Sequence, residues 1–413
     1  MTFNRNKPTV IFYAPILEFP PAGGPQISVV NAIKVLGSIS NLFVMTTISR
    51  DRLAKSALQE FLLMHCNQVI SLPSSRFHSK SDTLELYFGR FRRIFSFLFA
   101  YIDCKAIRRM VEAKDPDVIW VDRVLEHSFS VFSSLSSNRK DRKLVADTEA
   151  IYSRFLLREL PLIRNPVKKA FVYWRGKRKQ KQEFFITRHA SVVTAVSEVD
   201  AEYFRNLEPK SEVMLFSNVI DVNDFSVERQ SNSRKSETAV LIGSFGRQSS
   251  PMDRAATWLA EEVVPLVVRR VPSFQLKIIG RNSDLTQSHR VGQNIQVLGQ
   301  VDSMVDHIMD ATMSLVPLAY ESGTRFKILE SGAGCTPVVS TTLGAEGLEV
   351  VDGESILIAD TAEEFADAMI TLLKDPALAS NLGVNLREVV DKNYSLTKQR
   401  QDAIAIFEQL EAR

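Results

Sequence analysis

The sequence predicts an α/β protein with two domains, each built on a parallel sheet that helices cover on both faces. Three observations predict this class. The chain has 413 residues, and at about 150 residues per domain this length favours two or three domains. Short apolar runs alternate with longer helical patterns along the chain. One polar stretch interrupts the alternation past the middle. Two domains are therefore the prediction.

Seven apolar runs in the first part of the chain are predicted strands. They are rich in Val and Ile without strict polar alternation, which is typical of strands buried on both faces of a parallel sheet. In chain order the runs are PTVIFYAP, LFVMTT, QVISLPS, PDVIWVD, KLVADTEA, ASVVTAVSE and EVMLFSNVID. With the helical patterns between them, they predict a Rossmann-like domain over residues 1–230.

A polar linker and a second series of runs follow. Residues 226–239, SVERQSNSRKSETA, show no apolar periodicity and are predicted as the linker. The later runs are AVLIGSFG, FQLKIIGR, NIQVLGQV, MSLVPLAY, TPVVSTT and SILIAD. They predict a second Rossmann-like domain over residues 238–395. Residues 396–413 predict a final helix that could pack back on the first domain. Because ligands of such sheets bind outside the carboxyl ends of the strands, we expect the two domains to face a cleft that holds the site.

The composition excludes several classes of protein. With 45% hydrophobic and 24% charged residues, disordered and fibrous classes are disfavoured. No apolar run reaches the roughly 18 to 20 residues of a spanning helix, and MTFNRNKPTVIFYAP has no signal-peptide pattern, which predicts a cytoplasmic protein. The three cysteines, Cys66, Cys104 and Cys335, lack metal-ligand spacing. No disulfide framework and no metal site are predicted.

The charge is divided unequally along the chain. Residues 1–237 carry 36 Lys and Arg against 25 Asp and Glu, a net +11, whereas residues 238–413 carry 15 against 23, a net −8. This asymmetry predicts that the basic part faces an anionic partner, either a phosphate-bearing acceptor or an acidic membrane surface.

The stretch ESGTRFKILESGAGCTPVVSTTLGAEGL, residues 321–348, carries the strongest chemical signal. It follows the predicted strand MSLVPLAY, and a helix is predicted to start on Ser322, Gly323 and Thr324. The free N–H groups and the dipole of such a helix end bind phosphate. Arg325 and Lys327 would add positive charge, and Glu330 could accept hydrogen bonds from vicinal hydroxyls. The alternative is an ordinary capped helix whose Arg325 and Glu330 only pair with each other.

The same stretch resembles the donor-binding signature of GT-B glycosyltransferases, in particular the retaining family 4. That signature has Gly-Thr-Arg-x-Lys-x-x-Glu ahead of G-x-P-V-V-S-T and G-A-E-G-L, and the order of the neighbouring runs also matches over nearly all of the second domain. The resemblance implies that Glu330 holds the nucleotide ribose. It implies that Arg325 and Lys327 act on the diphosphate as catalytic cations, and that Gly344, Ala345, Glu346 and Gly347 form a loop near the nucleotide.

Two positions depart from the family pattern. Many members have a first glutamate where this chain has Ser322, and Glu321 lies one residue out of register, which puts the positioning of the sugar by a carboxylate in doubt. After Gly243, relatives often show a Pro-Asn pair, whereas this chain has RQSSPMDRAATW. Arg247 in that loop is a candidate for the donor phosphate, and an ordinary exposed loop arginine is the other interpretation.

Four residues of the first domain are further candidates. Gly23 and Gly24 follow the first predicted strand and precede a helix, so their backbone could approach the diphosphate or the acceptor closely. The segment VADTEAIYSRF resembles the family's acceptor side, which implies that Asp147 and Glu149 lie at the cleft, with Asp147 as a catalytic candidate. His127 lies where family members have a histidine that contacts the transferred sugar. For His127 a structural role is the alternative.

Two basic segments allow a rival interpretation. RGKRKQK, residues 175–181, and the basic aromatic pattern of residues 86–102 could bind nucleic acid, but no recognition motif accompanies them and no nucleic-acid partner is predicted. Docking on a membrane surface through the N-terminal domain fits them better. The alternative is that residues 86–102 form a core helix and residues 175–181 a solvated face.

Together, the resemblance implies a hexosyltransferase-type enzyme that moves a sugar from a nucleotide diphosphate sugar to an acceptor hydroxyl with retention. The expected partners are that donor and a glycan or lipid-linked acceptor, in the assembly of surface polysaccharide or glycolipid at the inner face of the membrane. No cofactor is expected, since the nucleotide sugar is a substrate. The alternative is a non-catalytic scaffold that binds a nucleotide sugar or a glycan, which the missing first glutamate motivates.

Overall fold

The computed structural model describes residues 7–21, 23–54, 56–73, 102–123, 126–136, 143–225, 237–245 and 250–412. They fall into two compact units that are discontinuous in sequence. The first unit comprises Met1–Ser153, Ala170–Asn218 and Gln399–Arg413, and the second comprises Arg154–Lys169 and Val219–Lys398. Arg154–Lys169 thus joins the second unit and Gln399–Arg413 joins the first, whereas a single cut near residue 230 would assign each of them to the other unit.

Within the described residues of the first unit, seven parallel strands form one sheet in the order β3-β2-β1-β4-β5-β6-β7. The strands are β1 Thr9–Tyr13, β2 Asn41–Thr46, β3 Gln68–Ser71, β4 Val118–Val121, β5 Lys143–Asp147, β6 Val192–Ala195 and β7 Val213–Leu215. Every residue of β4 and β6 is buried, because helices cover both faces of the sheet.

The helices of the first part of the chain lie between these strands. They are α1 Gly24–Ile39, α2 Arg50–Leu53, α3 Ser56–His65, α4 over 102–114, α5 Glu126–Ser136, α6 Tyr152–Glu159, α7 Pro166–His189 and α8 Glu198–Leu207. Short 3₁₀ turns cover Leu160–Leu162 and Val222–Phe225. The predicted segment 86–102 lies outside the described residues except for its last residue.

The described residues of the second unit form a six-stranded sheet in the order β10-β9-β8-β11-β12-β13. Its strands are β8 Thr238–Ile242, β9 Gln275–Ile279, β10 Ile295–Gly299, β11 Met313–Val316, β12 Val338–Ser340 and β13 Leu357–Ile358. Each pair of neighbouring strands in this sheet is parallel. The predicted linker 226–239 runs two residues too far, because β8 already begins at Thr238; residues 226–236 lie outside the described residues.

The remaining helices follow in chain order. They are α9 Pro251–Trp258, α10 Val264–Arg270, α11 Ser283–Gln287, α12 Met304–Asp310, α13 Phe326–Ala333, α14 Thr342–Ala345, α15 Ala362–Lys374, α16 Pro376–Asn393 and α17 Leu396–Glu411. A π-helical turn covers Leu259–Val263, and a 3₁₀ turn covers Ser288–Arg290. In α17, Gln399 donates to the Ser217 carbonyl at 3.0 Å and Phe407 meets the edge of Trp120, so this helix packs on residues of the first unit.

In both sheets the order of the strands reverses beside the first strand of the sheet, which is β1 in one and β8 in the other. β1 pairs with β2 on one side and β4 on the other, and β8 pairs likewise with β9 and β11. A crevice opens at such a switch point beyond the carboxyl ends of the strands, and ligands of doubly wound folds bind there. A ligand site is therefore expected in the segments that follow β8 and β11 in the second unit, or β1 and β4 in the first.

The prediction of two α/β domains with parallel sheets is confirmed, and each predicted run overlaps a strand of the structure. Among the helices that the structure describes, none is both long and apolar enough to cross a membrane. All three cysteines are free thiols.

Candidate functional site

The helix of the predicted donor signature starts later than expected. Residues 322–324 belong to the loop after β11, and α13 begins at Phe326 with Arg325 as its N-cap. Gly323 has φ +82°, a left-handed conformation that suits glycine and cannot continue into a right-handed helix. The prediction of a helix start on Ser322, Gly323 and Thr324 is therefore wrong. The N–H groups of the first helical turn belong to α13 itself, and the three residues form the loop that leads to it.

Arg325 is buried and links two parts of the predicted site. Its Nη2 atom donates to the carbonyl oxygen of Leu343 at 2.8 Å, which lies in α14 next to Gly344. The guanidinium therefore holds the start of α13 against the Gly344–Gly347 segment. Burial of an arginine at this point of a sheet keeps a permanent positive charge at the carboxyl edge.

Lys327 and Glu330 lie one helical turn apart on α13. The ammonium of Lys327 contacts the Met252 sulfur at 3.2 Å, and a thioether is a weak acceptor. Burial lowers the pKa of Lys327, partly offset by the carboxylates of Glu321 and Glu330. Burial also raises the pKa of Glu330, while the Lys327 charge acts in the opposite direction. The two side chains are therefore electrostatically coupled, and each is held where its charged form is costly.

The segment Gly344–Gly347 follows β12 and is closely packed. The Thr341 side chain caps α14 by accepting from the Gly344 N–H at 3.0 Å. A Cβ atom at Gly344 would lie 2.4 Å from both the Ser340 hydroxyl and the Val316 carbonyl, so glycine is required there. Ala345 is buried, and Gly347 has φ +79°. The segment thus places a short helix end and a left-handed turn beside Arg325.

Glu346 in this segment is held by an arginine that the sequence did not single out. Arg158 donates from Nη1 and Nη2 to the two Glu346 carboxylate oxygens, each at 2.7 Å, and Nη1 also donates to the Glu321 carbonyl at 2.9 Å. The bond from Arg158 lowers the pKa of Glu346, and burial opposes that shift. Arg158 and both of its partners belong to the second unit, so the loops after β11 and β12 share one guanidinium.

The two candidate glycines of the first unit lie at the start of α1. Gly23 is the N-cap of this helix with an extended backbone, and Gly24 is its first residue. An added Cβ at Gly23 would meet only the Gln26 side chain, at 3.7 Å. The packing of the chain therefore does not require glycine at position 23, and the carboxyl end of β1 remains open to close approach there.

Asp147 is engaged inside the first unit. The Trp120 indole N–H donates to one carboxylate oxygen at 2.8 Å, and the Thr194 hydroxyl donates to the other at 2.6 Å. Burial raises the pKa of Asp147, and these two donors oppose the shift. Because both oxygens already accept bonds from neighbouring strands, this geometry favours a structural role for Asp147, and its catalytic role stays a prediction.

A charged network after β4 and β5 was also missed. Arg123 is buried, has φ +47°, and pairs with Glu149 through both terminal nitrogens while its Nε lies 3.4 Å from Asp122. Burial raises the pKa of Asp122 well above its usual range, although Arg123 opposes the shift. Arg123 and Glu149 line a cavity of about 20 Å³, which is room for roughly one water molecule. The motif VDR at a strand end was the available signal.

Two candidates cannot be placed as side chains. His127 lies in α5, and its side chain lies outside the described residues, as does the whole of Arg247.

The structure brings together Arg325, Lys327, Glu330 and the Gly344–Gly347 segment in the second unit; Gly23, Gly24 and Asp147 lie in the first. Within the described ranges, no group of three or more His, Cys, Asp or Glu side chains is placed to hold a metal ion.

The family match lies in the second unit, and the curated relatives match part of the chain. Residues 239–375 match the family described as glycosyl transferases group 1. Over 164 residues the chain is 21% identical to a trehalose synthase of Pyrococcus horikoshii, covering 36% of this chain and 40% of that protein. Over 150 residues it is 25% identical to an uncharacterized protein in the cps region of Klebsiella pneumoniae, covering 34% and 39%. The chain thus aligns with about two fifths of the length of these relatives.

Solved structures match almost the whole chain. Sucrose-phosphate synthase from Thermosynechococcus elongatus superposes with a TM-score of 0.69 at 16% identity, over 98% of this chain and 99% of that one. Anabaena HepE in complex with UDP-glucose gives 0.63 at 12%, over 97% and 99%. WaaG, a glycosyltransferase involved in lipopolysaccharide biosynthesis, gives 0.61 at 15%, over 96% and 99%. At such identities the likeness concerns the fold, and it confirms the predicted GT-B class of two parallel-sheet α/β domains.

Proposed function

We propose that this chain, whose residues 239–375 match the family described as glycosyl transferases group 1, transfers a sugar from a nucleotide diphosphate sugar to an acceptor hydroxyl. We propose further that it does so with retention at the anomeric carbon, as the resemblance to family 4 implies. Within this proposal the second unit binds the donor.

One observation carries the proposal. Arg325 and Lys327 stand at the beginning of α13, directly beyond the carboxyl end of β11 at the switch point of the second sheet. This is where doubly wound folds bind nucleotides, and the first turn of the helix adds backbone N–H groups and a positive dipole end. The weak thioether contact of Lys327 leaves its ammonium able to exchange that partner for a phosphate oxygen.

The proposed chemistry is stabilisation of a departing diphosphate. Cleavage of the bond between sugar and phosphate leaves negative charge on the diphosphate, and preorganised cations stabilise charge that develops in a transition state. Arg325 and Lys327 would supply this stabilisation, and Glu330 would accept hydrogen bonds from the ribose. We propose no cofactor beyond the donor, which is a substrate.

For the sugar itself we propose that the loop before Arg325 provides the contacts. The Ser322 N–H donates to the Glu321 carboxylate at 3.2 Å, and Arg158 fixes the Glu321 backbone. A carboxylate one residue out of the family register is therefore held in the same loop. Glu321 is the better candidate for the sugar hydroxyls, because ionised carboxylates are stronger acceptors than a serine hydroxyl.

The similar proteins support a proposal about substrates. HepE is described in complex with UDP-glucose, and WaaG as acting in lipopolysaccharide biosynthesis. By analogy we propose a uridine diphosphate sugar as donor and a glycan or lipid-linked acceptor, in the assembly of surface polysaccharide or glycolipid. The enzyme would then work in the cytoplasm at the inner face of the membrane.

The test measures release of nucleotide diphosphate from a panel of sugar donors, starting with UDP-glucose. We expect the wild type to hydrolyse one donor slowly and Lys327→Ala to lower that rate about a hundredfold, the usual effect of removing one group that stabilises transition-state charge. Glu330→Ala, which removes the acceptor of the ribose hydrogen bonds, should raise the KM for that donor about tenfold. Lys392→Ala and Glu388→Ala, at exposed positions of α16, are the matched controls.

Two results would overturn different parts of the proposal. Binding of nucleotide without release of diphosphate from any donor in the panel would favour the non-catalytic scaffold. Turnover that Lys327→Ala and Glu330→Ala leave unchanged would refute the site and retain the activity.

A further inference from the structure

The exposed side of α7 carries a patch that packing among the described residues does not explain. The buried residues of this helix, Val172, Gly176, Glu183, Ile186 and Thr187, form a single stripe. Phe171, Tyr173 and Trp174 lie outside the stripe and are 56%, 51% and 59% exposed. Three large aromatic side chains within four residues are costly to leave in water, and such clusters mark interaction sites.

Cations surround these rings. The helix contains eight Lys and Arg and one acidic residue, Glu183. That glutamate is buried and accepts hydrogen bonds from Ser153 and Tyr203, so no carboxylate of the helix faces solvent. The exposed side of α7 therefore presents positive charge only, in agreement with the net +11 of residues 1–237.

The rings and the cations are interleaved in pairs. Arg175 lies over Phe171 at 5.7 Å, Lys177 over Tyr173 at 5.9 Å and Arg178 over Trp174 at 6.0 Å from the ring centroid. Each cation follows its ring by four residues, which places the two on the same side of the helix. A partner of this surface must therefore accept apolar rings and positive charge at the same depth.

We infer that the exposed side of α7, defined by Phe171, Tyr173, Trp174, Arg175, Lys177, Arg178 and Lys181, docks on an anionic lipid bilayer. Aromatic rings enter the boundary between headgroups and acyl chains, and Lys and Arg meet the lipid phosphates beside them. Single-stranded nucleic acid binds in grooves that track its backbone, whereas this side of a helix is convex. A duplex offers phosphates to the cations but no apolar layer for the rings.

This inference goes beyond the proposed function, because it concerns a partner of the first unit and needs no sugar donor. If the acceptor is lipid-linked, docking through α7 confines the enzyme to the surface where that acceptor lies. Vesicle binding and donor hydrolysis are separate measurements, so failure of one is distinguishable from failure of the other.

The experiment compares co-sedimentation of the full chain with phosphatidylcholine vesicles and with vesicles of phosphatidylcholine and phosphatidylglycerol. We expect binding to the anionic vesicles, weakened by salt, with a blue shift of Trp174 emission that is lost in Trp174→Ser. Neutralising Arg175, Lys177, Arg178 and Lys181 to Gln should weaken binding about fivefold per charge, since each cation near an anionic surface contributes about 1 kcal/mol. Phe171→Ser with Trp174→Ser should weaken it about tenfold or more.

Matched controls separate the patch from general effects. Leu63→Ser with Met64→Ser removes two apolar side chains of α3 that are 75% and 68% exposed, and Gln at Arg50, Arg52, Lys105 and Arg109 removes four exposed cations elsewhere. Both controls should bind vesicles nearly as the wild type does. Circular dichroism confirms that each variant is folded.

Three results would overturn the inference. The first is that the chain binds neither kind of vesicle. The second is that the control with four exposed cations changed elsewhere loses as much affinity as the variant with four neutralised cations of α7, which would mean that net charge alone drives binding. Tighter binding to single-stranded RNA than to vesicles, with the same dependence on the α7 variants, would assign the surface to nucleic acid.

Discussion

The guanidinium of Arg158 holds both carboxylate oxygens of Glu346 at 2.7 Å and reaches the Glu321 carbonyl with a third hydrogen bond. One side chain from the sequence segment before α7 thus fixes two loops at the carboxyl edge of the second sheet. Both partners are about a quarter exposed, so the pair is partly shielded from water, and its geometry is the bidentate form that orients as well as attracts.

We expect Arg158→Met and Glu346→Gln each to raise the KM for the donor about fivefold, since a pair of this exposure contributes about 1 kcal/mol. The double variant should be little worse than either single one, because both remove the same interaction. Arg270→Met, which breaks an ion pair with Asp367 at more than half-exposed positions, is the control. Additive effects of the two site variants would contradict a shared role.

The same pair predicts a pH-dependent stability. The bond from Arg158 lowers the pKa of Glu346, so its stabilisation is present above the ordinary glutamate pKa and is lost as the pH falls through the lowered one. The difference in Tm between wild type and Arg158→Met should therefore be largest near neutral pH and shrink in acid. A difference independent of pH would show that the arginine acts through packing alone.

The activity should have a narrowed pH range. Burial raises the pKa of Glu330 and lowers that of Lys327. Ribose binding needs ionised Glu330 and is lost as the pH falls through the raised value, and diphosphate binding needs protonated Lys327 and is lost as the pH rises through the lowered one. A profile of kcat/KM against pH should show both limbs. Glu330→Gln should remove the acid limb, and an unchanged acid limb would assign it to another group.

Substitution should lower the stability of the fold at Gly344 and leave it unchanged at Gly23. Gly344→Ala forces a Cβ to 2.4 Å from the Val316 carbonyl, so we expect a loss of about 1–3 kcal/mol in the free energy of unfolding. Gly23→Ser meets only Gln26 and places a favoured residue at the N-cap of α1, three residues before a glutamine. Its stability should be kept while kcat/KM falls, if a ligand approaches the backbone there. Denaturant unfolding measures the stability of each variant, and donor hydrolysis measures its kcat/KM.

Asp147 offers a test of structure against catalysis. Asp147→Asn replaces one acceptor oxygen by an NH₂ group facing either the Trp120 N–H or the Thr194 hydroxyl. We expect a loss of about 1–3 kcal/mol in unfolding free energy, the cost of an unsatisfied buried group. The kcat of the folded fraction should fall by no more than about tenfold. Removal of a general base would lower kcat by about a hundredfold or more. A stable variant without activity would restore the catalytic role.

The strands were predictable because burial on both faces leaves continuous apolar runs such as VIWV and TAVLI, which a local pattern reveals. The helix start at Phe326 was not, since the left-handed conformation of Gly323 depends on the loop around it. Arg158 lies 163 and 188 residues from its partners, a pairing that only the tertiary fold creates. Asp147 is the last residue of β5, and the donors that meet it come from β4 and β6, which the local sequence does not reveal.

The discontinuity of the second unit bears on recombination between related chains. A chimaera joined between Phe225 and Thr238 would take Glu321 and Glu346 from one parent and Arg158 from the other, although all three belong to one compact unit. Exchange of the second half of the chain at that junction would therefore preserve every strand of the second sheet. It would still combine Arg158 of one parent with Glu346 of the other. Transplanting residues 154–169 along with the second half would keep the inherited pair intact.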